Sequence, residues 1–170
     1  MTGAPTVLVA HASAQGSTAT IADRIGDTLA AAGCSATTAS VTDDPDPGEF
    51  DAVVLGSAIH DGDFLPEFHG YLERHRAALS MRPTWLFSVG MGPALHGPIG
   101  ALFRRMVPAS IASVRDTLGV NDFHAFAGVF ERPPERRLRL VVRLMGVRYG
   151  DNRNWTDVTA WASSIAAHLR

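Results

Sequence analysis

With 170 residues, 46% of them apolar, and a net charge of −2, the chain describes one globular domain with a substantial core, not a disordered or low-complexity protein. Its one cysteine, Cys34, rules out an internal disulfide or a cysteine metal cluster, and its 7 histidines fall in no metal-ligand spacing, so no metal site is expected. No apolar run is long enough to span a bilayer, and the N-terminus shows neither a basic region nor a cleavable apolar segment, so a cytoplasmic protein is expected.

Thr6 to Ala10 is an unbroken run of β-favouring and apolar residues, the pattern of a strand covered on both faces. A turn of small and hydroxyl residues follows, Ala12-Ser13-Ala14-Gln15-Gly16-Ser17-Thr18, and leads into a helix that Ser17 or Thr18 is able to cap. Ile21, Ile25 and Leu29 give that helix one apolar stripe, and Gly33 stops it. Ser35 to Val41 reads as a second, outer strand, and residues 42–50 as a polar connection rich in turn residues. Residues 51–57 form another buried-strand pattern, followed by a loop over Ala58 to Asp63. A helix begins near Pro66 with Phe68, Tyr71, Leu72 and Leu79 on its inner face.

Pro83 to Val89 is the next buried strand and opens into Gly90-Met91-Gly92. Helices are expected over residues 99–106 and 109–118, and the last strand over residues 123–130. Helices over residues 135–145 and 154–169 close the chain; the final one carries Val158, Trp161, Ala162, Ile165 and Leu169 at helical spacing. Five strands alternating with helices predict an α/β domain, one parallel sheet with helices on both faces. In such sheets ligands sit beyond the carboxyl ends of the strands, where the strand order switches. Three strands here end in small, loop-forming residues, at Ala12, Ser57 and Ser88.

A strand, a small-residue turn and a helix N-terminus offer backbone N–H groups and hydroxyls to an anion. Two common nucleotide loops are excluded. The chain has no lysine for Gly-x-x-x-x-Gly-Lys-Ser/Thr, and only Gly16 lies in the turn, against the three glycines of Gly-x-Gly-x-x-Gly. What remains is a loop with hydroxyls at Ser13, Ser17 and Thr18, suited to a monophosphate held by amides, hydroxyls and the helix dipole. Capping by these same hydroxyls is the competing account of the turn.

Ser13-x-x-Gly16-x-Thr18 resembles the phosphate-binding turn of flavodoxins. Gly56-Ser57-Ala58-Ile59-His60-Asp61-Gly62 is similar to their second flavin loop, and Ser88-Val89-Gly90-Met91-Gly92 to their third. Among flavodoxin-like proteins the chain most resembles the menaquinone-dependent protoporphyrinogen oxidase family. That similarity runs through residues 50–59, Ala127-Gly128, Arg143-Leu144-Met145-Gly146 and Trp155-x-x-Val158-x-x-Trp161-Ala162-x-x-Ile165-Ala166. The resemblance implies a flavodoxin-like three-layer sandwich with a five-stranded parallel sheet, order 2-1-3-4-5, in a single domain over residues 1–170. It also implies FMN held by Ser13, Ala14, Gln15, Gly16, Ser17 and Thr18, by Ser57, Ala58, Ile59 and His60, and by Ser88, Val89, Gly90, Met91 and Gly92.

The chain departs from that pattern in several places. Ala12 and Gln15 stand where hydroxyl or acidic residues are common. No Trp or Tyr lies in the second or third loop, so Ile59, His60 and Met91 are left to flank the flavin ring. The strongly acidic surface of carrier flavodoxins is also missing.

If FMN is bound, the cofactor performs the redox chemistry, and His60 either donates to the flavin or a substrate or is a surface-loop histidine with no role. Asp61 or Asp63 near the ring would disfavour an anionic reduced flavin. Charge is uneven: residues 1–98 hold 4 Arg against 11 acids, and residues 99–170 hold 11 Arg against 6. Arg136, Arg139 and Arg143 share one face of the helix expected over residues 135–145. That helix suits either peripheral contact with an anionic membrane holding a quinone, or ordinary packing with a solvated Arg face. Asp151 and Arg153 either reach the flavin side or pair locally in a turn, with Asn154 or Thr156 capping the last helix. No nucleic-acid motif is present, and a homodimer rests on fold analogy alone. Three functions stay open: an FMN oxidoreductase passing electrons between a porphyrinogen-type or other reduced substrate and a quinone, an electron-carrier flavodoxin, and the same fold holding a deazaflavin. A phosphate-accepting signalling domain is set aside, because His11-Ala12-Ser13 replaces the acidic cluster it needs.

Overall fold

Alternation along β-rich segments sets the two faces of a central sheet, and helical stripes cover both. The computed structural model describes residues 3–94, 108–131, 135–137, 139 and 149–170. In chain order the described elements are β1 (Thr6–Ala12), α1 (Ser17–Ala31), β2 (Ser35–Ser40), β3 (Ala52–His60), β4 (Asp63–Phe64), α2 (Pro66–Arg74), α3 (Arg76–Ser80), β5 (Thr84–Gly90), α4 (Ala109–Leu118), β6 (Asp122–Ala127), β7 (Val129–Phe130), β8 (Gly150–Asp151) and α5 (Trp155–His168).

Five parallel strands lie in the order β2-β1-β3-β5-β6, the expected 2-1-3-4-5 arrangement counted over parallel strands. The short β4 adds an antiparallel sixth strand beside the end of β3, and β7 pairs with β8 in a separate two-stranded ribbon. Val7, Val9, Val54 and Phe87 point to the layer of α1 and α5, where Ile21, Ile25, Leu29, Val158 and Ile165 are fully buried. Leu8, Ala10, Leu55 and Leu86 point the other way, into the layer holding Phe68, Tyr71, Leu79 and Ile111. Each fully buried aliphatic side chain contributes about 1.5–3 kcal/mol, so both layers are needed to hold the sheet.

Three expectations are corrected. The residues read as a loop over Ala58 to Asp63 are a β-hairpin: β3 runs on to His60, and Asp61 (φ 51°) and Gly62 (φ 81°) make its two-residue turn. Positive φ at both central positions is the geometry that matches strand twist in a tight hairpin. The helix expected from Pro66 through Leu79 breaks at His75, which leaves helical geometry where Arg74 Nη2 and His75 Nε2 both bind Asp44 Oδ1, at 2.9 and 3.0 Å. The last strand ends at Ala127, with Val129 and Phe130 turning away to pair with β8. The helix expected over residues 99–106 lies outside the described residues. So does the one over 135–145, apart from residues 135–137 and 139.

Candidate functional site

Register brings the three predicted strand ends together. Ala12 pairs with Ser57 and Ser57 with Ser88, so the three residues lie at one level across β1, β3 and β5. Strand β1 also marks the switch in order, with β2 on one side and β3 on the other, which is where this architecture opens a crevice.

The first loop is built around Gly16, whose φ of 86° is a left-handed conformation that a side chain would strain. Ser13 Oγ accepts the Gly16 N–H at 3.0 Å and closes the turn. Helix α1 then begins at Ser17 with Gly16 as its N-cap and no side-chain capping bond, so capping by Ser17 or Thr18 does not occur. The first helical bond runs from the Thr20 N–H to the Gly16 carbonyl, which leaves the N–H groups of Ser17, Thr18 and Ala19 without acceptors in the helix. Thr18 is fully buried, yet its Oγ1 has no hydrogen-bond partner among the described residues. A buried hydroxyl left in that state costs about 1–3 kcal/mol, which a ligand oxygen would recover. Ala14 and Gln15 are exposed on the loop, and Ser17 is half-buried.

The second loop satisfies itself. Ser57 is buried, and its hydroxyl donates to the Ala58 carbonyl at 2.9 Å while accepting the Leu65 N–H at 3.2 Å, so it holds the base of the hairpin. Asp63 Oδ1 accepts the Phe64 N–H at 2.7 Å and meets His69 Nε2 at 3.0 Å, and Ser110 Oγ donates to the Gly62 carbonyl at 3.2 Å. Burial works against the Asp63 carboxylate, but the bonds from His69 and Phe64 outweigh it and hold its pKa below the ordinary value. Ile59 and Ala58 are half-buried, whereas the His60 side chain is 77% exposed, with Nε2 3.5 Å from Asp61 Oδ2.

The third loop touches the second: a Cβ on Gly90 would sit 3.3 Å from Ile59 Cβ, so glycine permits this approach. Ser88 and Val89 are buried, Met91 is exposed, and Gly92 opens a short 3-10 turn through Ala94 in which the Ala94 N–H meets the Met91 carbonyl at 2.9 Å. The structure thus brings all three predicted loops to one edge of the sheet, with Ile59 and Met91 on the second and third loops and Ser13 to Thr18 on the first.

Three nearby groups escaped sequence reasoning or were left ambiguous by it. His11 lies on the α1 side of β1, and its Nδ1 is buried without a partner among the described residues. Burial lowers its pKa, against the opposing pull of Asp23 and Asp43. His69 and Ser110 clamp the hairpin from two different helices, a tertiary relation with no local signature. Asp151 and Arg153 pair locally through a fork at 2.6–2.8 Å, and Arg153 Nη1 also donates to Thr20 Oγ1 at 2.7 Å, beside the first loop. Asn154 caps α5 by accepting the Asp157 N–H at 3.2 Å.

Residues 8–128 match the family described as Flavodoxin domain. The chain belongs to that family. No curated protein matches it. Among solved structures it is similar to oxidised flavodoxin 1 from Bacillus cereus (TM-score 0.62, 13% identity, 97% of this chain and 99% of that one). It is also similar to a flavodoxin variant from Pseudomonas aeruginosa (TM-score 0.61, 15% identity, 96% and 98%). Rubredoxin oxygen:oxidoreductase from Desulfovibrio gigas has a TM-score of 0.62 and 15% identity over 98% of this chain, which spans 37% of that enzyme. FMN is the cofactor of this flavodoxin family. The first loop fits its phosphate on the strength of the buried, unpartnered Thr18 hydroxyl and the free amides of the first turn of α1.

Proposed function

We propose that the protein is an FMN-dependent oxidoreductase that takes electrons from a porphyrinogen-type or other reduced organic substrate and passes them to a quinone. The observation that carries the reading is the contrast at the ring end, where aliphatic Ile59, exposed Met91 and exposed His60 stand in place of stacking aromatics. With no aromatic of the second or third loop, among the described residues, to stack on it, a bound ring would leave room for a planar substrate, and a carrier that exchanges single electrons at its edge has no need of that room. FMN supplies the redox chemistry when bound. Ser13, Ser17, Thr18 and the amides of the first turn hold its phosphate. Backbone amides of the second and third loops would hydrogen-bond the ring edge, and half-buried Ile59 and exposed Met91 would flank the ring. His60, exposed on the hairpin with Nε2 3.5 Å from Asp61 Oδ2, would be the side chain to donate a proton to flavin or substrate.

The protein should purify yellow or take up FMN to give an oxidised-flavin spectrum; a colourless chain that cannot be reconstituted with FMN would sink the cofactor assignment. Turnover with protoporphyrinogen or a reduced surrogate and a soluble quinone would support the enzyme reading. A long-lived one-electron reduced flavin with no turnover would instead make the protein a carrier. Loss of binding to FMN with retained binding of a deazaflavin would transfer the same loops to that cofactor.

A further inference from the structure

The first loop contains no cationic side chain, yet a phosphate monoester carries about −1.5 to −2 charges at neutral pH. The surrounding first 98 residues hold 11 acids against 4 Arg, so a local cation has unusual worth there. The chain supplies one from far away in sequence. Strand β8 pairs with β7 (Asp151 with Val129, Gly150 with Phe130), and the Asn152 N–H meets the Gly128 carbonyl at 3.2 Å. Gly128 itself lies against the loop, since a Cβ there would stand 3.4 Å from Ser17 Oγ. This ribbon delivers Arg153 to the first turn of α1. Its Nη1 donates to Thr20 Oγ1 at 2.7 Å, and Thr20 Oγ1 in turn donates to the Ser17 carbonyl at 2.9 Å. The guanidinium is also stacked 4.7 Å from the centre of the Trp155 ring, so it is positioned before any ligand arrives. Nε and Nη2 grip both oxygens of Asp151, at 2.8 and 2.6 Å, a planar fork of the kind that a phosphate accepts equally well.

We infer that Arg153 is a further phosphate-recognition residue of this site, and that Asp151 acts as the internal anion that occupies its fork until a phosphate draws it toward the first loop. This rests on the FMN reading above. The consequence is discrimination: a flavin with a 5′-phosphate gains from Arg153 and a flavin without one does not.

The test titrates the apo-protein with FMN and with riboflavin, following flavin fluorescence, and separately measures thermal protection by inorganic phosphate. For Arg153→Gln the affinity for FMN should fall about tenfold, with riboflavin affinity unchanged and phosphate protection reduced. Asp151→Asn, which keeps the guanidinium, should raise FMN affinity severalfold and steepen its salt dependence. Equal losses for FMN and riboflavin in Arg153→Gln, or no loss for either, would overturn the inference and leave the fork a turn-closing pair. If Arg153→Gln fails to fold, Asp151→Asn decides: unchanged or weaker FMN binding there overturns it. Failure of the cofactor reading looks different, because the wild-type protein would then bind neither flavin. Phosphate protection lost in Arg153→Gln would still support an anion role for the residue.

Discussion

The two ends of the cofactor crevice are built on opposite plans. At the end we assign to the phosphate, α1 is locked to the sheet by Ile21, Ala22, Ile25 and Leu29, all fully buried, while the Thr18 hydroxyl has no partner among the described residues and the N–H groups of Ser17, Thr18 and Ala19 have no acceptor in the helix. At the ring end the hairpin spends its polar groups on itself: the Ser57 hydroxyl, the Asp63 carboxylate and the Gly62 carbonyl are all engaged, and the tip carries exposed His60 and Asp61. A rigid frame with unsatisfied donors gains from any ligand that satisfies them, so affinity belongs to the phosphate end. A self-satisfied, exposed hairpin gains little from a ligand, and on the proposed reading it sets what surrounds the ring, so reactivity would belong there.

The largest expected effect strikes the frame that both ends share. Gly56 stands between His11 on β1 and Phe87 on β5, and a Cβ there would lie 1.9 Å from Phe87 Cζ. Phe87 is fully buried against Phe126 and Trp161 and has nowhere to go. Gly56→Val should lower folding stability by about 3 kcal/mol in urea unfolding and weaken FMN binding with it.

Thr18→Val separates the two ends. FMN affinity should drop about tenfold, roughly 1.4 kcal/mol, while the apo-protein keeps or gains stability, because the substitution removes a buried hydroxyl that has no partner among the described residues. A clear loss of apo stability would show that the hydroxyl serves the fold, and the contrast between the ends would fail. His11 adds a pH signature to the same end. Its folded-state pKa lies below the ordinary value, so on acidification the unfolded chain takes up its proton first. Stability should therefore fall as pH drops below about 6.5, by less than about 1.4 kcal/mol per pH unit, down to the lowered pKa. His11→Gln should flatten that part of the profile, measured by urea unfolding across pH.

Smaller effects belong to the hairpin. His69→Ala should change FMN affinity by no more than about threefold but speed amide hydrogen exchange at residues 61–64, because one of the two clamps on the turn is lost. Asp63 has a lowered pKa, so its stabilising contribution is present above the ordinary carboxylate pKa of about 3.9 and is lost as pH falls through the lowered value. Removing His69 should move that acid loosening to higher pH. The least structural effect is expected of His60→Ala, within about 0.5 kcal/mol in stability at so exposed a position, with any change confined to turnover.

Much of this was legible in the sequence because burial on both faces writes continuous apolar runs. Val7 to Ala10, Val53 to Leu55 and Trp85 to Phe87 announce themselves as central strands, and their small-residue ends mark the crevice. The first loop was recognisable as an anion cradle, but whether Ser17 and Thr18 cap the helix or wait for a ligand depends on the φ of Gly16 and on burial. The Asp61-Gly62 pair carried a hairpin signal that the exposed residues around it obscured, since β4 is only two residues long. Asp44 meets His75 at the helix break from about thirty residues earlier, and Arg153 meets Thr20 across 133 positions. Such meetings are written in the fold, not in any local pattern. Arg143 and most of the basic stretch over residues 135–145 fall outside the described residues, so its suitability for a membrane surface stays with the sequence alone. Among the described residues no helix is long and apolar enough to cross a membrane.

Trp155 has a practical consequence. Of the 3 tryptophans, Trp85 and Trp161 are buried in the core, whereas Trp155 is half-exposed at the start of α5 with the Arg24 and Arg153 guanidiniums 5.0 and 4.7 Å from its ring centre. Indole emission responds to neighbouring charge and to any acceptor that absorbs at its wavelengths. A chain with Trp85 and Trp161 replaced by Phe would carry a single native lamp against the Arg153 guanidinium, and its brightness would follow the arrival of a phosphate and of a coloured ring as two separate events.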